Sequence, residues 1–271
     1  MSVLLMSLDL EDARLHSIDG MNYPSRVEKN TEAFISFLKT KEWPCTFFTV
    51  GNIFESYPEL IKLIRDQGFE IGWHSSQHEP VASITEDQFY SDLMKGRDLA
   101  SKFGISMLGY RAPIFSVNQS TPWFHKTLKK AGFKYSSSIL PAANPLFGWP
   151  EFGDRPVVKD DVLEIPMPLV DLKLLKVPFG GVYLRTFPSS VFKYAVSNRK
   201  NSNLPIATYI HPYDFDSQQE RYTHGGINGS AFYNFLMYYN RSKMLNRIEK
   251  LARACSGSVL NYADFYRKQK D

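Results

Sequence analysis

The chain lacks the marks of a small secreted scaffold, of a membrane-spanning protein and of a nucleic-acid binder. It has two cysteines in 271 residues, Cys45 and Cys255. These are too few and too far apart for a disulfide framework, and Cys45, set in an apolar run, reads as a small core residue. No apolar stretch approaches the roughly 18 residues that cross a bilayer. Lysine and arginine are scattered, apart from pairs such as Lys129-Lys130 and Arg199-Lys200, so no basic arm exists to hold nucleic acid. The net charge of +4 allows only a weak attraction for anionic substrates. The opening run to Leu8 has no positive n-region and no small-residue cleavage site, and Asp9 interrupts it, so it reads as a strand and not as a signal peptide. The expectation is a soluble, cytoplasmic protein. No repeat, low-complexity tract or linker divides the sequence, and a single domain over 1–271 is expected.

What is present is ordinary globular material, 43% hydrophobic and 22% charged, enough for a substantial core. Strand-like and helix-like patterns alternate. Residues 3–8 form a continuous apolar run, as in a strand buried on both faces. Residues 24–40 follow as a helix, with Pro24 suited to a first turn and Val27, Thr31, Phe34, Ile35 and Leu38 on one face. A strand at 45–50, a helix carrying Tyr57, Leu60, Ile61 and Ile64, and a strand from Phe69 to Trp73 come next. Thr85 reads as the N-cap of a helix stopped at Gly104. A strand at 107–111, a helix near 121–131 and a strand near 133–138 repeat the unit. Residues 139–160, rich in proline, read as a surface insertion. Strands near 162–166 and 205–210 and helices near 188–198 and 230–253 complete the series, with 213–229 as a mobile loop. Such alternation implies a parallel sheet, either a closed or nearly closed barrel or an open doubly wound sheet. In both, the ligand site lies at the carboxyl ends of the strands.

Four polar clusters fall at such strand ends: Asp9, Glu11 and Asp12; His74 and His78; Arg111; and His211. Histidines spaced i, i+4 on a helical turn can grip one metal ion; read singly they are as often surface or capping residues. The acidic run is by itself a solvated turn, but Asp9 comes directly off a buried strand, where a carboxylate needs a partner or a metal. Arg111 is that partner, as a salt bridge, as a functional group, or as both. A lone histidine such as His211 is more often a satisfied core residue than a rim acid.

Together these clusters resemble the polysaccharide deacetylase family, the group with the NodB homology domain. Ser7-Leu-Asp-Leu-Glu-Asp12 is similar to its first motif, although the usual form has two adjacent aspartates. His74-Ser-Ser-Gln-His78 resembles its H-S-x-x-H, Arg111-Ala-Pro113 its R-x-P, and Tyr209-Ile-His211 loosely its L-x-H. The likeness runs from Ser7 to about Asp216. It is closest to the branch tied to bacterial exopolysaccharide and surface-glycan assembly, where Ser25-Arg-Val-Glu-Lys-Asn30, Gly109-Tyr-Arg-Ala-Pro113 and Gly180-Gly-Val-Tyr183 have counterparts.

The resemblance implies an α/β fold, a distorted (β/α)7 barrel, and one divalent metal ion, usually zinc. It implies N-deacetylation of an amino-sugar-containing small molecule or glycan. It assigns the metal to Asp12, His74 and His78, with Glu11 as the alternative carboxylate. It makes Asp9 the general base, Arg111 its partner and His211 the general acid. An N–H in the 180–183 stretch would add to the oxyanion site. The family aspartate that orients the acid histidine is expected near Tyr135, where this chain has Ser136; Asp214 is the candidate substitute. Trp73, Pro113, Phe115 and Tyr183 are expected to contact the sugar. The rival readings are a carbohydrate-binding protein without catalysis and an amidohydrolase of another small amide, such as a formamido sugar or a cyclic ureide.

Overall fold

The computed structural model describes residues 2–143, 147–173, 175–199, 204–223 and 230–270. The first apolar run is two short strands in line, β1 (Leu4–Leu5) and β2 (Ser7–Leu10). Then come α1 (Val27–Thr40), β3 (Thr46–Thr49), α2 (Gly51–Ser56), α3 (Pro58–Asp66), β4 (Glu70–Trp73), α4 (Glu86–Lys102), β5 (Gly109–Tyr110), α5 (Phe124–Lys130) and β6 (Tyr135–Ser136). The second half holds β7 (Val157–Lys159), β8 (Val162–Glu164), β9 (Leu169–Asp171), β10 (Lys176–Pro178), α6 (Gly181–Thr186), α7 (Ser189–Arg199), β11 (Ile206–Ala207), α8 (Ala231–Tyr238), α9 (Met244–Ala254), β12 (Val259–Leu260) and α10 (Tyr262–Lys268).

The main sheet has the order β2-β3-β4-β5-β6-β8-β7, and β11 and β12 flank β1. All of these pairings are parallel except β7 on β8. The Asp9 N–H donates to the Ile210 carbonyl at 2.7 Å, so the line that starts at β11 stays against the first strand up to the rim. Gly180 bridges to Tyr209 in parallel on the far side. Beyond β8 stands antiparallel β7, so parallel pairing does not close the ring among the described residues. This is a distorted α/β barrel, and it brings the carboxyl ends of β2, β4, β5 and the strand before His211 to one rim.

Several boundaries differ from the sequence reading. Helix α1 starts at Val27, with Pro24 outside it. The single helix expected over 230–253 is two, α8 and α9, parted by Asn240 in the left-handed region at φ 56°. The stretch 139–160 is not all surface insertion: β7 belongs to the sheet, and the chain reverses at Asp160-Asp161 with φ of 47° and 63°, values of the primed hairpin turns. In 213–229 the first residues form a 3-10 turn, Pro212–Phe215, and 224–229 lie outside the described residues. The Thr85 cap is present as a full capping box with Gln88, satisfying two otherwise orphaned N–H groups.

Trp73, expected to contact sugar, is completely buried. It ends β4 with its ring against α4 and the start of α2. A Cβ on Gly96 would lie 2.6 Å from the indole, and one on Gly51 2.8 Å from it. Its Nε1 donates to Asp92 of α4 at 2.8 Å, and the other Asp92 oxygen accepts from the Ser76 N–H at 2.7 Å. Trp73 therefore supports the loop that carries the two histidines from below. Gly96→Ala should force the indole aside and cost about 1–3 kcal/mol, the usual penalty of overpacking. Urea unfolding monitored by tryptophan fluorescence measures this directly; unchanged stability would mean that α4 is free to move away from β4.

Candidate active site

The acidic motif is sorted by strand geometry. Side chains alternate between faces along extended backbone, so Ser7, Asp9 and Glu11 share the inward face and Asp12 points the other way. Asp9 itself lies within β2, paired with Phe48, and does not follow the strand. The Asp12 carboxylate is held by Arg14, at 2.9 and 3.0 Å from Nε and 2.5 Å from Nη2, and accepts from the Arg14 N–H at 3.1 Å. The expected metal carboxylate is thus corrected: Asp12 caps a 3-10 turn (Ala13–His16), and Glu11 stands with the histidines. The signal was in the sequence as the even spacing of Asp9 and Glu11.

The two histidines do not sit on a helical turn. Residues 74–78 are an open loop in which Ser75 and His78 have φ of 69° and 57°. The loop is tied down by Asp92 and by the Gly51 N–H, which donates to the Ser75 carbonyl at 2.9 Å. The i, i+4 spacing brings the rings together all the same, with centroids 5.1 Å apart. One atom each of Glu11, His74 and His78 lies within 4.8 Å of the others.

These residues fit a divalent cation on three counts. Glu11 Oε2 is buried and accepts no hydrogen bond, although His78 Nε2 is 2.7 Å away; the contact is close but misaligned for an N–H donor. The His74 Nδ1 lies 2.8 Å from the Arg111 carbonyl, which makes Nδ1 the donor and leaves Nε2 a free lone pair. Burial, with the neighbouring His78, pushes His74 down to about 4, so the ring is neutral, the ligating form. Against burial, which opposes its charge, His78 is raised by Glu11. Against burial of its own, Glu11 is held well below the usual carboxylate range by the surrounding histidines. A cation here would replace a proton on His78.

Arg111 and Asp9 form the floor. Arg111 is fully buried. Its Nη1 donates to Asp9 Oδ1 at 2.5 Å and to Ser7 Oγ at 2.7 Å, and its Nη2 to the Tyr262 hydroxyl at 2.7 Å. The guanidinium stacks over Phe48, 4.1 Å from the ring centre.

His211 occupies the opposite wall. Its Nδ1 is 2.8 Å from Asp214 Oδ2, which also accepts from the His211 backbone N–H at 2.9 Å. The other Asp214 oxygen accepts from Arg185 Nε at 2.9 Å. Burial alone would lower the imidazole, but Asp214, with Glu11 and Asp9, raises it to about 9. His211 Nε2 is left 3.9 Å from Glu11 Oε1, facing the cation site. Ser136, at the place where the resemblance sets an aspartate, is buried with its hydroxyl on Ser138 Oγ at 2.7 Å; the carboxylate on His211 is Asp214.

A cleft of about 480 Å³ joins these groups. Phe115 and Tyr183 line it as expected, with Asp9, Glu11, His74, His78 and His211. Pro113 does not: it is buried at the start of a short 3-10 turn, Pro113–Phe115. The Gly181 N–H is spent on the Tyr209 carbonyl at 2.9 Å, which removes it as an oxyanion donor. Sequence reading missed Asp92 and Arg185, which carry no motif, and the lining residues Ile114, Leu175, Tyr209 and Tyr233.

The geometry can now be set against known proteins. Residues 19–136 match the polysaccharide deacetylase family model. The likeness to this family is carried by the first half of the chain. Residues 137–261 match a domain of unknown function, DUF3473. The two segments share one sheet, in which β6 of the first pairs with β8 of the second. The chain is 32% identical over 143 residues to a peptidoglycan deacetylase of Helicobacter pylori, covering 50% of this chain and 48% of that one. It is 26% identical over 104 residues to a peptidoglycan-N-acetylglucosamine deacetylase of Bacillus cereus, covering 38% and 47%. The chain thus spans about half the length of these curated relatives. A Mycobacterium smegmatis structure named as a polysaccharide deacetylase shares the fold with a TM-score of 0.67 at 18% identity, over 98% of this chain and 90% of that one. So does Puue allantoinase, with a TM-score of 0.59 at 14% identity, over 97% and 88%.

The ligand assignment has a direct test. Glu11→Gln should lose the bound divalent ion, about one per chain, while Asp12→Asn should keep it and lose only the Arg14 pairing. Elemental analysis of both variants after dialysis against zinc decides it; the reverse pattern would return the metal to Asp12.

Proposed function

We propose that the chain is a metal-dependent N-deacetylase that removes an acetyl group from an amino sugar during the building of a bacterial surface polysaccharide. The observation that carries this reading is the convergence on one cleft of a Glu-His-His cation site, a carboxylate paired to a buried arginine, and a histidine backed by a second carboxylate. Glu11, His74 and His78 would hold the ion, for which zinc suits the mixed nitrogen and oxygen donors. When bound, it supplies Lewis-acid polarisation of the acyl carbonyl and lowers the pKa of water.

The protein's own groups supply the proton transfers. Asp9, fixed by Arg111, is placed to take the proton of the attacking water as the general base. His211 in its protonated form gives a proton from Nε2 to the departing nitrogen. Asp214 holds the ring in the orientation that points Nε2 into the cleft, and Arg185 holds Asp214. Phe115 and Tyr183 offer apolar faces to the sugar. The presence of Asp214 in place of the family aspartate supports catalysis over simple carbohydrate binding, because the acid histidine keeps its carboxylate.

Asp9→Asn should lower kcat by about 10²–10⁴-fold, the usual share of a general base, with metal content unchanged. Release of free amine from N-acetylated sugars is the assay, and full activity of the variant would remove Asp9 from the mechanism. The acid gives a second test with a definite sign. His211 acts while protonated, so activity is present below its pKa and is lost as pH rises through it. Asp214 is the strongest influence raising that pKa, so Asp214→Asn should move the alkaline limb of kcat/KM to lower pH. A limb that stays in place would mean that another group sets it.

A further inference from the structure

The cleft opens onto an apolar surface that the hydrolysis itself does not require. Among the residues lining it, Ile114, Leu175 and Tyr233 are 44%, 49% and 55% exposed. Tyr233 belongs to α8, whose sequence Ala-Phe-Tyr-Asn-Phe-Leu-Met-Tyr is apolar at seven of eight positions. None of its residues is buried, and Phe232 and Phe235 are 65% and 52% exposed. Spaced i, i+3, these two share a helix face, and Phe235 packs on Tyr239 with ring centres 5.5 Å apart. The helix is held by polar contacts at its end: Arg185 Nη1 donates to the Leu236 carbonyl at 3.1 Å and to the Tyr239 carbonyl at 2.6 Å. An apolar helix fixed in position yet left uncovered marks a binding surface. Ile114 adds to it. A β-branched residue at φ 51° is strained by about 1–3 kcal/mol, and here that strain holds an aliphatic side chain out at the cleft mouth.

We infer that the substrate is amphiphilic: an N-acylated amino sugar carrying an apolar chain, with the sugar over Glu11, His74 and His78 and the chain along Ile114, Leu175 and the exposed face of α8. This deepens the deacetylase reading and rests on it. Two features favour such a chain over a longer soluble glycan. The surface meets the catalytic cleft at Tyr233, whose ring lies 5.8 Å from that of Phe232, and its exposed members Phe232, Phe235, Ile114 and Leu175 carry no polar side-chain atom.

The test uses N-acetylglucosamine glycosides with methyl, octyl and dodecyl aglycones, each below its micelle concentration, and reads amine release. kcat/KM should rise by about tenfold or more from methyl to dodecyl, since two or three buried methylenes suffice for that factor. The Phe232→Ser/Phe235→Ser double variant should collapse the dodecyl-to-methyl ratio toward one. Both positions are exposed, and an unchanged melting temperature would confirm that the fold is kept. Equal kcat/KM for all three glycosides, or a ratio that survives the double substitution, overturns the inference and leaves the deacetylase reading in place. No release from any glycoside by the zinc-loaded protein removes that reading, and this one with it. A dimer in sedimentation that the double variant turns into a monomer would assign α8 to a second copy of the chain and overturn the inference as well.

Discussion

A buried guanidinium facing a buried carboxylate is the constraint on which the rest of the site depends. Arg111 and Asp9 meet at 2.5 Å with side-chain exposures of 0% and 5%. Neither charge could stay there alone, because an unpaired buried ion costs several kcal/mol. The arginine's other donors reach Ser7 of β2, Ser137 just past β6, and Tyr262 at the start of α10. One side chain thereby ties β2, β5, the strand beyond it and the C-terminal helix across the barrel. Its backbone takes part too, since the Arg111 carbonyl receives His74 Nδ1 and so sets which nitrogen of that histidine faces the cation site. Asp9 and His74 are positioned by the same residue, through its side chain and its carbonyl.

His211 is held in a similar way on the other wall. Arg185 and Asp214 form a second pair with exposures of 0% and 1%, and Asp214 orients His211. Asp9 and Asp214 thus each have their own buried arginine, and Asp214 also holds His211. The two differ in what else the arginine holds. Arg111 binds the barrel wall, which is rigid, whereas Arg185 binds the last carbonyls of α8. His211 is therefore linked through Asp214 and Arg185 to the end of a surface helix, whereas the Arg111 side chain that holds Asp9 bonds to Ser7, Ser137 and Tyr262.

Much of this was legible in the sequence where physics is local. The alternation of strand and helix, the Thr85 cap and the arrival of Asp9, His74, Arg111 and His211 at one rim follow from periodicity and from the topology of parallel sheets. The misreadings arose where an identity was judged without its direction. Asp12 sits in a motif but on the wrong face of an extended chain, so it found Arg14. Trp73 adjoins a metal loop, yet alternation along β4 turns it into the core, where Gly96 and Gly51 leave room for it. What was not legible was the partner that comes from far away in the chain. Asp92 under the histidine loop and Arg185 behind Asp214 are ordinary helix residues until the fold brings them in.

Ser136 shows why the carboxylate for the acid could change its place in the chain. Around Ser136 the barrel is already closed by a hydroxyl network: its Oγ meets Ser138, whose N–H donates at 2.8 Å to Glu164, itself 3.1 Å from His125. These groups satisfy one another. Asp214 lies three residues from His211 and accepts from both its ring and its backbone N–H, so acid and carboxylate form one short turn and move together. A carboxylate on β6 would have tied the acid to the sheet; a carboxylate on the turn leaves Arg185 as the tie. Arg185 in turn donates to the Leu236 and Tyr239 carbonyls, so the turn that carries His211 is tied through Asp214 and Arg185 to the end of α8.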